Sequence, residues 1–253
     1  MSIFIIEFDL KSRSPVTVEN GDVIVDKGYS TVTIRNVQAE SYEDAVKKAR
    51  LKAGAFLDEL CIQHGINLEI GNFLTFRPQD SSATRHIKMV RMTISLKGGH
   101  RKRVPRILKE VKIIPSDAKT YYRKAEISTD TFDKFRNYFL VIENIASKIA
   151  ETKKIKKYQD LELIKLSMKE CFSSNLQILR EHCHVRGLAG KVITTNIVSA
   201  FLFKVHRCQL NHSKENEKRK IPFNPNDELD VQSALPLVEF VAKSLISYED
   251  TYL

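Results

Sequence analysis

The sequence predicts a small α+β domain over residues 1–98, a basic linker over 99–128 and an all-α up-down helical bundle over 129–253. Two observations support this fold class. In the N-terminal part, β-branched and polar residues mostly alternate, as in half-buried strands, and one longer helical pattern interrupts them. From Thr129 onward, apolar residues recur at intervals of three and four, which is the spacing of an amphipathic helix.

The N-terminal domain contains one helix with recognisable start and stop signals. Ser41 can cap its first turn, an apolar face continues to about His64, and Gly65 can end it. Turn dipeptides containing glycine separate the short strand patterns around it. We therefore expect an antiparallel sheet with this helix packed on it. The predicted strands are Ile3–Leu10, Asp22–Asp26, Thr31–Val37, Ile66–Phe76 and Ile87–Leu96.

The C-terminal part carries four helical patterns with short connections, which favours an antiparallel bundle. Ser173-Ser174-Asn175 is expected to break or kink the second helix. A polar loop from Ser213 to about Asp230 precedes the fourth helix, in which Pro236 suits only the first turn. The four patterns extend from Phe132 to Ile149, from Leu161 to Cys183, from Thr194 or Thr195 to His212, and from Leu235 to Tyr248.

The net charge of +10 is concentrated in the predicted linker. Residues 98–128 hold nine Lys and Arg against three Asp and Glu, whereas residues 1–97 and 129–253 are closer to balance. A basic segment of this kind favours a polyanionic partner, because each neutralised phosphate releases counterions. A solvated linker that binds nothing is the alternative.

The composition also argues against several classes of protein. A hydrophobic content of 42% with 28% charged residues is typical of a folded chain, and no apolar run is long enough to span a membrane. The N-terminus does not resemble a signal peptide. Four widely spaced cysteines favour free thiols in a reducing cytoplasm. His182-Cys183-His184 is a poor metal site because neighbouring helical residues point to different sides, so we expect no metal and no cofactor.

The most informative motif lies at the end of the third helix, where Arg207 is followed after four residues by His212. Arginine is a permanent cation that fits phosphate oxygens, and histidine moves protons near neutral pH. Together they could cut RNA without a metal. In a regular α-helix the two side chains would lie about 140° apart. Either the helix unwinds near its end, or a second copy of the chain completes the site. The simpler alternative is a helix-end histidine and a solvated arginine.

The segment from Arg207 to His212, set between a long penultimate helix and a final one, resembles the Arg-x4-6-His motif of the HEPN superfamily. The resemblance covers residues 128–250. It implies a homodimer in which two Arg/His pairs line one basic cleft, with Arg207 and His212 as catalytic residues and Asn211 positioning the phosphate or the histidine. A helix C-terminal cap is the alternative role of Asn211. Where the family often has a polar residue directly after the arginine, this chain has Cys208.

Contacts to RNA are expected from the basic segments on either side of the bundle. Glu143 could be an interior carboxylate paired near the site, but a position facing solvent is favoured by its place in the helix pattern. The expected RNA-binding residues are Lys214, Lys218, Arg219, Lys220, Arg101, Lys102 and Arg103, with a solvated charged loop as the alternative for those after His212.

These observations lead to a main hypothesis and two alternatives. The main one is a cytoplasmic, metal-independent endoribonuclease of HEPN type that acts as a toxin in prokaryotic stress response or antiviral defence. RNA, tRNA among the candidates, would be its substrate, and the N-terminal domain would sense a ligand or a regulatory protein partner. The first alternative is a non-catalytic HEPN module that binds RNA or a partner protein. The second is a basic regulator that binds duplex DNA.

Overall fold

The computed structural model describes residues 2–79, 106–108, 113–155, 159–207, 210, 220 and 224–253. The chain divides into two compact units, Met1–Ile114 and Pro115–Leu253. Each has its own buried apolar core. This matches the predicted order of an α+β part followed by a helical part.

The N-terminal unit is built on a sheet with the strand order β5-β1-β4-β3-β2-β6. The first five strands pair antiparallel, and β6 joins the edge strand β2 in parallel. One register shift interrupts the β1–β4 ladder between Phe4 and Ile6. The strands are β1 (Ser2–Leu10), β2 (Val16–Asn20), β3 (Val23–Val25), β4 (Thr31–Ala39), β5 (Ile70–Pro78) and β6 (Arg106–Leu108).

One face of this sheet is buried by helix α1 (Tyr42–His64). The Ser41 hydroxyl accepts a hydrogen bond from the Asp44 N–H, and Gly65 ends the helix with a left-handed φ of 64°, so both predicted boundaries are confirmed. Alternate residues are buried over much of β1, β2, β3 and β4, which gives the alternating pattern seen in the sequence. The largest fully buried side chains between helix and sheet are Ile6, Phe8, Ile34, Phe56, Leu57, Leu60 and Leu68.

The basic stretch predicted as a linker contains regular structure. β6 lies inside it, and helix α2 (Asp117–Ile127), which the sequence analysis did not predict, occupies most of its last third. Lys119 of α2 is fully buried and its Nζ lies 2.8 Å from Asp250 Oδ1. An ion pair of this kind lets a lysine enter a core, which a count of charges along the sequence does not anticipate. The predicted strand Ile87–Leu96 lies outside the described residues.

Helix α3 (Thr131–Thr152) is central to the C-terminal unit and packs against α2, α4 and α7. The sequence offers Thr129 or Asp130 as its cap, and it is Asp130 that accepts from the Asp133 N–H, at 2.7 Å. Its apolar stripe from Phe132 to Ile149 is buried. The other helices are α4 (Asp160–Phe172), α5 (Leu176–Glu181), a 3₁₀ turn (Arg186–Leu188), α6 (Thr195–Ala200), a π-helix (Phe201–Arg207) and α7 (Pro225–Tyr252).

The break predicted at Ser173-Ser174-Asn175 is confirmed, since α4 ends at Phe172 and α5 begins at Leu176. Asn175 caps α5 by accepting from the Ile178 N–H. Its side chain therefore satisfies a donor at the start of the new helix, which is why this residue interrupts the pattern.

The start of the last helix was predicted wrongly. It begins at Pro225, with Asn224 as its cap, so Pro236 lies in its interior rather than in its first turn. A proline there removes a backbone hydrogen bond and costs about 3 kcal/mol. Pro236 and Gln232 are both exposed, so water can reach the carbonyl left unpaired. Burial of the apolar face from Val231 to Ile246 offsets that cost.

Gly187 is expected to be essential for packing. A Cβ at this position would lie 2.3 Å from Cε2 of Phe201, the buried first residue of the π-helix. Gly187→Ala should therefore lower the free energy of unfolding by about 1–3 kcal/mol in urea titrations. Gly54→Ala is the matched control, since nothing lies within 4 Å of its Cβ in helix α1. It should be neutral or stabilising, and equal losses in both variants would contradict the steric argument.

Among the helices that the structure describes, none combines the length and the apolar character needed to cross a bilayer.

Candidate functional site

The candidate site lies where the π-helix ends. Thr194 caps α6 by accepting from the Ile197 N–H at 3.2 Å, and the chain then widens into the π-helix from Phe201 to Arg207. π-helical turns are rare and often mark functional sites. They close i→i+5 hydrogen bonds, so their side chains do not follow the α-helical spacing. The separation of about 140° predicted between Arg207 and His212 depends on residues 208–212, most of which lie outside the described residues, so it stays a prediction.

The guanidinium of Arg207 is held by a carboxylate from α3. Its Nε and Nη2 both lie 3.0 Å from Oε1 of Glu143, and its Nη2 is 4.0 Å from Oδ2 of Asp160 at the start of α4. The guanidinium carbon also lies 5.4 Å from the ring centroid of Phe203, within cation–π distance. The Arg207 side chain is 24% exposed. It is therefore a positioned cation rather than a solvated one.

Glu143 is the interior partner of this pair. Its side chain is only 26% exposed, so the interpretation that it faces solvent is wrong and the paired alternative is confirmed. Burial raises the pKa of Glu143, and the positive charge and hydrogen bond of Arg207 oppose that rise. The signal was present in the sequence: Glu143 follows the buried Phe139 by four residues, which puts both on one side of α3.

Two clefts meet at the ion pair of Arg207 with Glu143. One, of about 230 Å³, extends toward α4 and is lined by the pair together with Ser147, Asp160 and Ile164 among others. The other is a small crevice toward the start of α3, lined by the pair and by Phe135, Arg136, Phe139, Leu140 and Leu210. Both side chains of the ion pair therefore line both clefts.

This arrangement brings together charges of both signs. Arg207 supplies a fixed positive charge, while Glu143 and Asp160 supply two carboxylates. Within the described part of the chain, no group of three or more His, Cys, Asp and Glu side chains could hold a metal ion.

Comparison with known protein families identifies the C-terminal unit. The family model for methylamine utilization protein MauJ matches residues 118–247, just over half of the 253 residues. The chain belongs to the MauJ family. No curated protein and no solved structure matches it significantly. The match covers α2 through most of α7, so it includes Glu143, Asp160 and Arg207.

Most of the other predicted site residues of this MauJ-family chain lie outside the described residues. These are His212, Asn211, Lys214, Lys218, Arg219, Arg101, Lys102 and Arg103. Their roles stay predictions. Arg207 is described, as the last residue of the π-helix that follows α6.

Lys220 is the exception, because the structure contradicts its predicted role. Its side chain is 4% exposed and its Nζ forms an ion pair with Asp230 of α7, so it does not present a charge to RNA. Burial lowers the pKa of Lys220, although Asp230 opposes that effect. The run of basic residues suggested a solvated loop, whereas the buried pair anchors the chain to α7 just before that helix begins.

The two described cysteines of the MauJ-family unit are free thiols, as predicted. Cys171 and Cys183 are free, and burial raises the pKa of Cys171 to about 12 and that of Cys183 to about 11. Both stay protonated at neutral pH and neither resembles an activated nucleophile. The neighbouring His182 stacks on Phe240 with ring centroids 3.6 Å apart.

Proposed function

We propose that this MauJ-family protein is a metal-independent endoribonuclease of HEPN type, with Arg207 and His212 as its catalytic residues. The observation that supports the proposal is the fixed guanidinium of Arg207, held at 3.0 Å by Glu143 where two clefts meet. Catalysis of phosphoryl transfer depends largely on such positioned charges. The family description refers to methylamine utilization and specifies no reaction.

In this mechanism His212 accepts the proton of a ribose 2′-hydroxyl, and the 2′-oxygen attacks the adjacent phosphorus. The bond from phosphorus to the 5′-oxygen breaks, and the departing oxygen takes a proton from solvent. The products are a 2′,3′-cyclic phosphate and a 5′-hydroxyl. Arg207 stabilises the negative charge that builds on the non-bridging oxygens. DNA lacks the attacking hydroxyl and would not be cut.

Glu143 leaves part of the guanidinium available in this mechanism. A guanidinium carries five N–H donors, and the pairing with Glu143 engages those on Nε and Nη2. A phosphate oxygen would use the others, while Glu143 and the ring of Phe203 fix the plane of the group. This long side chain is therefore already ordered in the folded protein, so RNA binding does not have to order it.

The proposal includes a homodimer in the cytoplasm, in which two such sites share one cleft, as the resemblance to HEPN proteins implies. RNA would be the substrate and Asn211 would help to position it. The N-terminal unit would carry the sensing or regulatory function, through a ligand or a protein partner.

The test is cleavage of a mixed RNA pool by the purified full chain in excess EDTA. We expect 2′,3′-cyclic phosphate ends, loss of cleavage in His212→Ala, and full cleavage by Lys204→Ala. Lys204 is an exposed cation of the same π-helix, so this control removes a charge without touching the site. Cleavage that continues in His212→Ala, or that requires a divalent metal, would contradict the proposal.

A second candidate function is a non-catalytic module that binds RNA or a partner protein. It is favoured by the carboxylates of Glu143 and Asp160, which oppose the approach of a phosphate to Arg207. If the wild type binds RNA without cutting it, and His212→Ala binds equally well, this function explains the protein better.

A further inference from the structure

A further concave surface lies in the segment that joins α5 to α6, between residues 180 and 193. Its volume is about 430 Å³, in the range of small-molecule sites. It shares no lining residue with the clefts at Arg207. Its lining consists of Arg180, Cys183, His184, Val185, Leu188, Ala189, Gly190, Lys191 and Ile193.

The frame of this cavity is anchored in the core of the C-terminal unit. Cys183, Val185 and Leu188 of this segment are buried. Gly187 packs directly on Phe201, and Gly190 has a φ of 75°, which lets the chain turn back toward α6. A cavity held in this way needs little reorganisation when a ligand enters.

The charged side chains around this frame are basic. Arg180, His184 and Lys191 are exposed at its rim, and none of the described lining residues is acidic. Glu181, next to Arg180 in sequence, accepts a hydrogen bond from Gln177 along α5. Cys183 stays a neutral thiol because burial raises its pKa to about 11. The floor is apolar, through Val185, Leu188 and Ile193.

We propose that this cavity binds an organic phosphate, with Arg180 and Lys191 holding the phosphate group and the apolar floor receiving the organic part. A guanidinium and an ammonium facing one cavity suit a phosphate, because the planar guanidinium can bind two oxygens and the ammonium adds a point charge. The Nε of Arg180 lies 3.5 Å from the Ile193 carbonyl oxygen, so the guanidinium is close to both ends of the segment that lines the cavity.

A phosphate of this kind could come from a free nucleotide or from a nucleic-acid strand. Isothermal titration of the full chain with AMP, with inorganic phosphate and with a short single-stranded RNA separates these sources. The variants are Arg180→Ala combined with Lys191→Ala, and Lys204→Ala as the matched control for loss of an exposed cation. The His212→Ala background prevents cleavage of the RNA under the proposed function.

We expect AMP to bind more tightly than inorganic phosphate, and the double variant to weaken its binding by about tenfold or more. If only the RNA binds and the double variant weakens it equally, the phosphate comes from a strand. Both results support the site. No binding of any probe, or binding that the double variant leaves unchanged, would overturn it. Because both variants replace exposed side chains, unchanged thermal unfolding would show that the fold is intact.

This site does not depend on the nuclease proposal. A chain that cuts no RNA could still bind AMP here, and a chain that cuts RNA could fail to bind it. The two outcomes are measured separately.

Discussion

Replacing Arg207 by alanine is expected to lower RNA cleavage by about 10²–10³-fold and the free energy of unfolding at pH 7 by about 1–3 kcal/mol. The first effect follows from loss of the cation that stabilises the phosphate. The loss of stability follows because the Glu143 side chain, only 26% exposed, would stay on α3 without the two nitrogen donors that Arg207 places 3.0 Å from it. Arg207→Lys keeps the positive charge but cannot make both nitrogen contacts to Glu143. It should therefore retain only part of the RNA cleavage and only part of the free energy of unfolding that Arg207→Ala loses.

The stability loss of Arg207→Ala should also depend on pH. Burial already raises the pKa of Glu143, and Arg207 opposes the rise, so removal of Arg207 lets that pKa increase further. In the folded variant Glu143 then holds a proton at pH values where the unfolded chain has lost it. Stability relative to wild type should therefore fall as pH rises through the folded pKa and recover below it.

Urea unfolding at about pH 5 and about pH 8 measures this difference. The double variant Arg207→Ala with Glu143→Gln is the control, because an amide at 143 cannot titrate and the pH dependence should disappear. An Arg207→Ala variant that loses the same free energy at both pH values would contradict the assignment of Glu143 as its buried partner.

Replacing Phe139 by alanine is expected to lower the free energy of unfolding by about 3–5 kcal/mol. Its ring is 1% exposed and stacks on Phe135 with centroids 6.2 Å apart and 13° between the planes. Its ring centroid also lies 6.3 Å from that of Phe203, over which the Arg207 guanidinium lies. Such a loss could leave too little folded protein for an assay of activity.

Phe139→Leu keeps the fold testable and separates the two roles of this ring. We expect Phe139→Leu to lower the free energy of unfolding by less than Phe139→Ala does. It should still lower the cleavage rate of the folded protein, because Phe203 loses its packing contact with the ring. Phe172→Leu is the matched control, a buried ring on α4 that packs on Phe240. It should cost similar stability without changing cleavage by folded protein. Equal activity losses in both variants would mean that Phe139 acts through stability alone.

The parts of the fold that local signals specify could be predicted from the sequence. Ser41 and Gly65 bound α1, and Asp130 starts α3, because each supplies a hydrogen bond or a backbone conformation within a few residues of itself. The start of α7 was missed because Pro236 was given more weight than the cap at Asn224-Pro225. The apolar face is buried on both sides of Pro236, from Val231 to Ile246, and this burial keeps the stretch in one helix despite the proline.

The candidate site was predictable only in part. Arg207 could be found from its motif. Its partner Glu143 is 64 residues away in sequence, and helical periodicity does not predict contacts between residues so far apart. Lys220 shows the same difficulty, because its burial depends on Asp230 and not on its basic neighbours. The π-helix was also missed, since a short apolar pattern does not distinguish i→i+4 from i→i+5 bonding.

The wide turns from Phe201 to Arg207 accommodate one residue more than an α-helix of the same length would. Each ring closed by an i→i+5 bond encloses one more residue than the α-helical ring, so loss of a single exposed residue such as Lys204 would let this stretch tighten into α-helix. The α-helical ring makes the same turn with one residue fewer, so Arg207 would stay on the side of the axis that faces Glu143. A deletion at Lys204 would in this way keep the two charged groups together, whereas a deletion in a regular α-helix would turn the residues after it by about 100°.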